Sequence, residues 1–283
     1  MVVHSIGGAL ATALGSLGYD SPMKRIAGGL VLVLVISLRA QAPEPMPLAH
    51  GNVPGEPHHH LKIENEYVRV YYVEVPPHDE TQLHQHDHDY LFVTLGDSDV
   101  MNAVLDKPEV HLTLKDGETH FTRGGFAHVA RNLADTPFRN VTVELLRPQT
   151  DPRNDCEKVA LDLPAGDCNK PDDFSKLPPD SPLRSFAKVM LRPRGIFVTK
   201  QIHLTEVSSS LKESYTEGDS MAGRLLVVED GSALEVEVAG EPSKLLHGGE
   251  VAWLDGQKKW KVTTPGKTTS GFLLVQFKNS PAQ

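Results

Sequence analysis

The sequence predicts an all-β protein made of two similar β-domains in tandem, and three observations carry that expectation. Short β-branched and aromatic runs recur along the chain, turn residues fall between them, and no long stretch repeats its apolar residues with the 3.6-residue period of a helix. A length of 283 residues also suits two domains better than one. In the first half the runs are Val68–Val73, Tyr90–Leu95, Val110–Leu114 and Val141–Leu146, so residues from about 60 to 148 read as a sandwich or barrel. Asp116-Gly117 is expected to make a hairpin turn within it. In the second half the runs are Phe197–Thr199, Leu225–Glu229, Ala233–Val238 after an Asp230-Gly231 turn, Val251–Leu254 and Phe272–Phe277. The domain divisions that follow are 43–148 and 197–283, joined across 149–196 by a linker rich in proline, aspartate, lysine and serine.

Ahead of the first domain, Met23-Lys24-Arg25 is followed by uncharged, mostly apolar residues from Ile26 to Leu38 and then by Ala40-Gln41-Ala42 before Pro43. A basic start, a short apolar run and an A-x-A site lay out a cleavable signal peptide over 23–42. The apolar run would reach about 20 Å as a helix, short of a hydrocarbon core of about 30 Å, so the mature protein is expected to have no membrane span. Translation is expected to begin at Met23, with residues 1–22 an upstream extension, and the mature chain to be periplasmic or extracellular. Cys156 and Cys168 are the only cysteines, both beyond the signal, and in an oxidising compartment they are expected to form a disulfide that staples the linker.

Charge excludes one class of partner. Lys and Arg number 28 against 37 Asp and Glu, a formal charge of −9, and without residues 1–42 the count falls to 25 against 36. Such a chain lacks the basic excess that phosphate backbones demand, so nucleic acid is not expected. Nor is there a G-x-S-x-G, a dinucleotide-binding glycine fingerprint, a P-loop or a heptad repeat.

Histidine carries the chemistry. His84-Gln85-His86-Asp87-His88-Asp89 places three histidines at period two, on one face of an extended strand, where two of them can grip one ion. His128 lies some forty residues on, placed to close the site from another strand. A solvent-facing histidine run is the alternative reading of the pattern alone. His58-His59-His60 reads as a solvated tail, with a surface metal trap or a cover over the barrel mouth as the other possibilities. Tyr90, Arg123 and Arg131 bracket the ligands, and His111 and His120 fall on strands of the same domain. Tyr90, His120 and Arg131 are thus the pocket candidates.

At these positions the chain resembles the cupin superfamily. The family's second motif, G-x5-P-x-G-x2-H-x3-N, is matched by Gly117, Gly125, His128 and Asn132, with Arg123 in the proline's place. The first, G-x5-H-x-H-x3-4-E-x6-G, is matched by His84, His86 and Gly96, with His78 in place of the opening glycine. The resemblance implies His84, His86 and His128 as ligands of one divalent transition metal (Fe, Mn, Ni, Cu or Zn), with Asp89 in the acidic ligand's place and His88 in reserve. It covers about residues 62–146. In the second half only its outline remains: Gly249, Asp255, Trp260 where the histidine belongs, Thr264 where the asparagine belongs, and Arg224 in the acidic place. The implied whole is two tandem jelly-roll barrels with one metal site. The functions implied are a metal-dependent dioxygenase, isomerase or lyase acting on a small oxygen-rich molecule, or a non-catalytic small-molecule binding or sensing protein, or a structural envelope protein. Oligomeric state is left open.

Overall fold

In a computed structural model the described residues are 53–166, 192–209, 214–217, 223–265 and 270–278. The expected upstream extension, the expected signal sequence and Cys168 all lie outside them. Every element longer than a turn is a strand, apart from a short 3-10 turn at Val53–Gly55.

Nine strands form the first half as two antiparallel sheets. One contains, in spatial order, β1 (His59–Glu64), β2 (Val68–Val75), β9 (Phe138–Leu145), β4 (Tyr90–Thr94) and β7 (Thr119–Thr122). The other contains β3 (His84–His86), β8 (Phe126–Asn132), β5 (Ser98–Val104) and β6 (Val110–Leu114). The second half repeats the plan. Its larger sheet orders β10 (Arg153–Asn154), β11 (Arg192–Val198), β12 (Ile202–Ser209), β19 (Ser270–Phe277), β14 (Gly223–Val228) and β17 (Val251–Asp255). Its smaller sheet orders β13 (Ser214–Glu217), β18 (Trp260–Thr263), β15 (Ala233–Val238) and β16 (Lys244–His247). Strand for strand, β2-β9-β4-β7 corresponds to β12-β19-β14-β17 and β3-β8-β5-β6 to β13-β18-β15-β16, the two-sheet order of a jelly roll.

Burial explains why several strands read as unbroken apolar runs. One cluster of buried residues joins Val70, Leu91 and Val143 of the first half to Phe197, Leu225 and Val275 of the second. Strands such as β9 therefore bury one face in this shared core and the other inside their own barrel. Tyr71, Val100 and Phe138 build the inner core of the first half, and Val207, Leu234 and Trp260 that of the second.

Two local expectations change. Gly117 and Gly231 do turn the chain, at φ of 72° and 67°, but neither turn closes a hairpin. β6 pairs with β5 while β7 pairs with β4, and β14 and β15 also lie in different sheets. Asp-Gly encodes a local reversal; it does not encode which strand becomes the partner. The start of the expected linker is also built into the fold. β10 pairs with β11, and Asn154 holds the next residues by accepting from the backbone N–H of Val159 and Ala160, both under 2% exposed.

Candidate metal centre

The pairing of β3 with β8 creates the centre, because it sets His84 directly opposite His128. Two adjacent glycines allow that approach. A Cβ on Gly124 would lie 2.4 Å from the backbone carbon of His88, and Gly125, at φ 88°, donates its N–H to the carbonyl of His86 at 2.7 Å. The resulting ring centroids are 4.5 Å apart for His84–His128, 5.1 Å for His84–His86 and 5.2 Å for His86–His128.

A fourth imidazole arrives from β1. His59 lies 4.7 Å from His84, centroid to centroid, and its side chain is only 5% exposed. One ring nitrogen from each of His59, His84 and His86 falls within 4.8 Å of the others. Three of these four imidazoles are fixed through Nδ1. His84 Nδ1 donates to the Gln82 carbonyl at 2.8 Å, His128 Nδ1 to Asn102 Oδ1 at 2.7 Å, and His59 Nδ1 to Glu56 Oε2 at 2.6 Å. His86 Nδ1 lies 3.6 Å from Glu144 Oε1, a buried carboxyl on β9 directly opposite Tyr90. An imidazole that donates from Nδ1 keeps a lone pair on Nε2.

That inventory leaves polar atoms without partners where none should be. His84 Nε2, His86 Nδ1 and His128 Nε2 are buried and have no hydrogen-bond partner. Orphaned buried nitrogens are costly; those of His84 and His128 belong to rings 4.5 Å apart, where one metal ion would satisfy both, while the orphaned nitrogen of His86 faces Glu144. Their electrostatics agree. Burial, reinforced by the His59 ring, lowers His84 to about 4, and burial with the neighbouring histidines holds His86 and His128 well below the usual value. These three rings are held in the neutral form that ligands must have. Burial alone would raise Glu56, but its bonds to His59 and His58 and the Gln82 N–H bring it down to about 2, so it faces His59 as a carboxylate. The donor set, neutral imidazole, fits a divalent transition ion.

A cavity of about 540 Å³ opens from this cluster into the barrel. Tyr90 stacks on His86 at 4.2 Å, and Phe92 stacks on His120 at 4.7 Å, forming one wall along β4 and β7. Val100, Leu114 and Phe138 line the interior, while Val110 and Leu161, half or more exposed, also line the cavity. His120 is 6% exposed and bonded through Nε2 to Glu118 Oε1 at 2.8 Å.

Of the residues singled out from sequence, His84, His86 and His128 come together, and Tyr90 and His120 line the cavity. Asp89 does not join them. Its Oδ1 accepts from the Gly124 N–H, and its Oδ2 from Arg123 Nη1 and the Gln149 N–H, so it locks a loop in place of ligating. His88, whose backbone packs on Gly124, is outside the cluster as well. Arg131 is corrected too: β8 turns His128 and Ala130 to the cavity, which leaves Arg131 on the outer face, paired with Glu80 at 2.8 Å. His111 is an exposed partner of Asp99. Cys156 is buried, and its expected pairing with Cys168 falls outside the described residues. In the second half, Arg224 occupies the register position of Tyr90 and lies 5.6 Å from the ring of buried Trp260, so that barrel's interior offers no imidazole cluster among the described residues.

Sequence reasoning missed His59 as a cluster member, and with it Glu56 and Glu144. The one local signal was Glu56, three residues ahead of His59, where a turn can carry a carboxylate back to an imidazole.

The pKa directions predict an acid-labile metal-free protein. Unfolded histidines take up protons below about 6.5 that folded His84, His86 and His128 refuse, so stability present above that pH drains away as the pH falls toward 4. Burial raises Glu229 to about 7, which acts in the opposite direction over part of this window, so the effect is read in a Glu229→Gln background, where urea midpoints of the metal-free chain are expected to drop between pH 6.5 and 4. A flat profile there would contradict buried neutral rings.

No family model matches the chain, and no curated protein matches it by sequence. Solved structures do. AerE from Microcystis aeruginosa is 11% identical, with 79% of this chain and 99% of that one covered at a TM-score of 0.50, a likeness of fold. A salicylate 1,2-dioxygenase from Pseudaminobacter salicylatoxidans is 11% identical over 75% of this chain and 71% of its own, with a TM-score of 0.47. A cupin 2 conserved barrel domain protein from Leptotrichia buccalis is 10% identical over 77% and 87%, with a TM-score of 0.46.

Proposed function

On the premise that this chain resembles the cupins in its sheet order and its histidine pattern, we propose that it is an exported metal-dependent enzyme of the dioxygenase type, acting on a small oxygen-rich organic molecule. One observation carries the reading: four imidazoles, of His59, His84, His86 and His128, cluster beside a largely apolar cavity of about 540 Å³, the size and character of a small-molecule site. His59, His84 and His86, each with a ring nitrogen within 4.8 Å of the others, would hold the ion, with His128 opposite His84 as a further ligand; the ion when bound supplies Lewis acidity and, if redox-active, a route for electrons to O2.

The chain's own residues do the rest. Tyr90, stacked on His86, fixes that ring and closes one side of the cavity. Val100, Leu114 and Phe138 exclude water and favour a substrate whose body is apolar and whose polar end chelates. His120 reaches the cavity wall while its Nε2 is tied to Glu118, whose side chain is 36% exposed, so the pair can pass a proton between cavity and solvent.

Export through residues 23–42 is part of the same proposal, supported by the signal layout of the sequence, with the ion (Fe, Mn, Ni, Cu or Zn) acquired outside the cytoplasm. The pairing of Cys156 with Cys168 goes with it, supported by the burial of Cys156. Among the described residues no helix is long and apolar enough to cross a membrane.

The test is to express the chain with its own leader, recover it from the periplasm, and measure metal content and O2 uptake against chelating diketo, phenolic and sugar-acid compounds. About one ion per chain and uptake with at least one class are expected, and both should vanish in His84→Ala. Metal with tight binding of such compounds but no turnover would replace the enzyme with a binding protein. No metal after reconstitution with each of the five ions would end the reading.

A further inference from the structure

Of the four clustered imidazoles, His59 alone is delivered by a segment outside the strands that carry the sequence motif. What delivers it is a buried carboxylate. Glu56 is 4% exposed, and its side chain is entirely covered. Its Oε2 accepts from His59 Nδ1 at 2.6 Å and from the His58 N–H at 2.8 Å. Its Oε1 accepts from His58 Nδ1 at 2.9 Å and from the Gln82 N–H at 3.1 Å. Gln82 then accepts from His84 Nδ1 through its own carbonyl at 2.8 Å, so a single peptide unit links the carboxylate to a second imidazole of the cluster.

The segment is anchored at its other end. Val53 is fully buried in the inner core beside Tyr71 and Val73, and Glu56 N–H closes the 3-10 turn onto the Val53 carbonyl at 3.1 Å. The His59 N–H in turn donates to the Glu56 carbonyl at 3.1 Å. A buried carboxylate is expensive unless its lone pairs are used, and here four donors use them, two of them on imidazole rings.

We propose that Glu56 is a positioning residue for the metal: it holds His59 in the tautomer and orientation that make Nε2 a ligand, so that residues 53–60 act as a carboxylate clasp on the ion. The inference rests on the metal reading above. A carboxylate behind a ligating imidazole fixes the ring and strengthens it as a donor, and loss of such a partner lowers metal affinity about 10- to 100-fold. Glu56→Gln sharpens the point, because it removes the charge and turns one of the two oxygens that take four donors into an amide nitrogen that itself donates.

The experiment titrates Co2+ into the metal-free wild type, Glu56→Gln, Glu56→Asp, His59→Ala and the double variant Glu56→Gln/His59→Ala, reading the visible cobalt spectrum and chelator-competed affinity. Glu56→Gln and His59→Ala are expected to lose about 10- to 100-fold in affinity and to share one altered spectrum. The double variant should be no weaker than His59→Ala, since both changes remove the same ligand. Glu56→Asp keeps the charge and should recover part of the affinity; it also serves if the Gln variant does not fold. Wild-type spectrum and affinity in Glu56→Gln, or additive losses in the double variant, would make Glu56 a structural anchor only and overturn the proposal. A wild type that takes up neither Co2+ nor any of Fe, Mn, Ni, Cu and Zn overturns the metal reading itself, which is a different result.

Discussion

His128→Ala is expected to leave a folded protein that has lost its metal, with affinity down by more than about 100-fold, the upper end of what the loss of a mere outer-sphere partner costs. His128 stands opposite His84 across the β3–β8 pair, its Nδ1 committed to Asn102 and its Nε2 buried without a partner. Among the described residues nothing else uses that nitrogen. Removing the ring also strips Asn102 Oδ1 of its donor, a penalty of about 1–3 kcal/mol that should appear in the metal-free protein as well. The two effects separate when metal content and urea midpoints are measured side by side. His88→Ala is the control, expected to keep the ion, because His88 lies outside the cluster. Full metal retention in His128→Ala would mean that the orphaned nitrogens answer to something other than an ion.

The second large effect lies far from the centre. Phe197→Ala is expected to cost about 3–5 kcal/mol, the usual range for emptying a buried aromatic site. Phe197 is fully buried, and its ring lies 4.9 Å from that of Phe121, which belongs to the other half of the molecule. The loss should show in a single unfolding transition that carries both halves down together, followed by tryptophan fluorescence of Trp253 and Trp260 and by far-UV circular dichroism. Two separate transitions, with the first half surviving the second, would show that the shared cluster does not couple them.

Most strands were legible because they bury at least one face, and burial writes itself as apolar residues of strand length; β1, with no buried residue, was not. The histidines at 84 and 86 were legible because a period of two is a property of one strand, and His128 because its spacing from Gly117 and Gly125 resembles the second cupin motif. What sequence could not supply was pairing. Asp89 has the right charge in nearly the right place, yet the loop that Gly124 permits draws its carboxylate to Arg123 and two backbone amides. His59 sits in a polar triplet beside glycine, glutamate and proline, the composition of a solvated tail, and only the pairing of β1 with β2 and the contact from Glu56 bring it in. Glu144 reaches Tyr90 and His86 only because β9 lies beside β4, more than fifty residues away along the chain. The Asp-Gly turns failed for the same reason: reversal is local, partnership is not.

The shared core also determines what an unloaded molecule is. Free energy gained by a ligand that binds only the folded chain counts for the whole cooperative unit, about 2.7 kcal/mol when the free ligand stands at one hundred times its dissociation constant. With Val70 and Val143 in the same cluster as Leu225 and Val275, that gain is not confined to the barrel that holds the histidines. The second barrel, which has no imidazole cluster among the described residues, would then be as long-lived as an ion bound in the first allows, and a protease patrolling for open chains would remove the empty molecule entire.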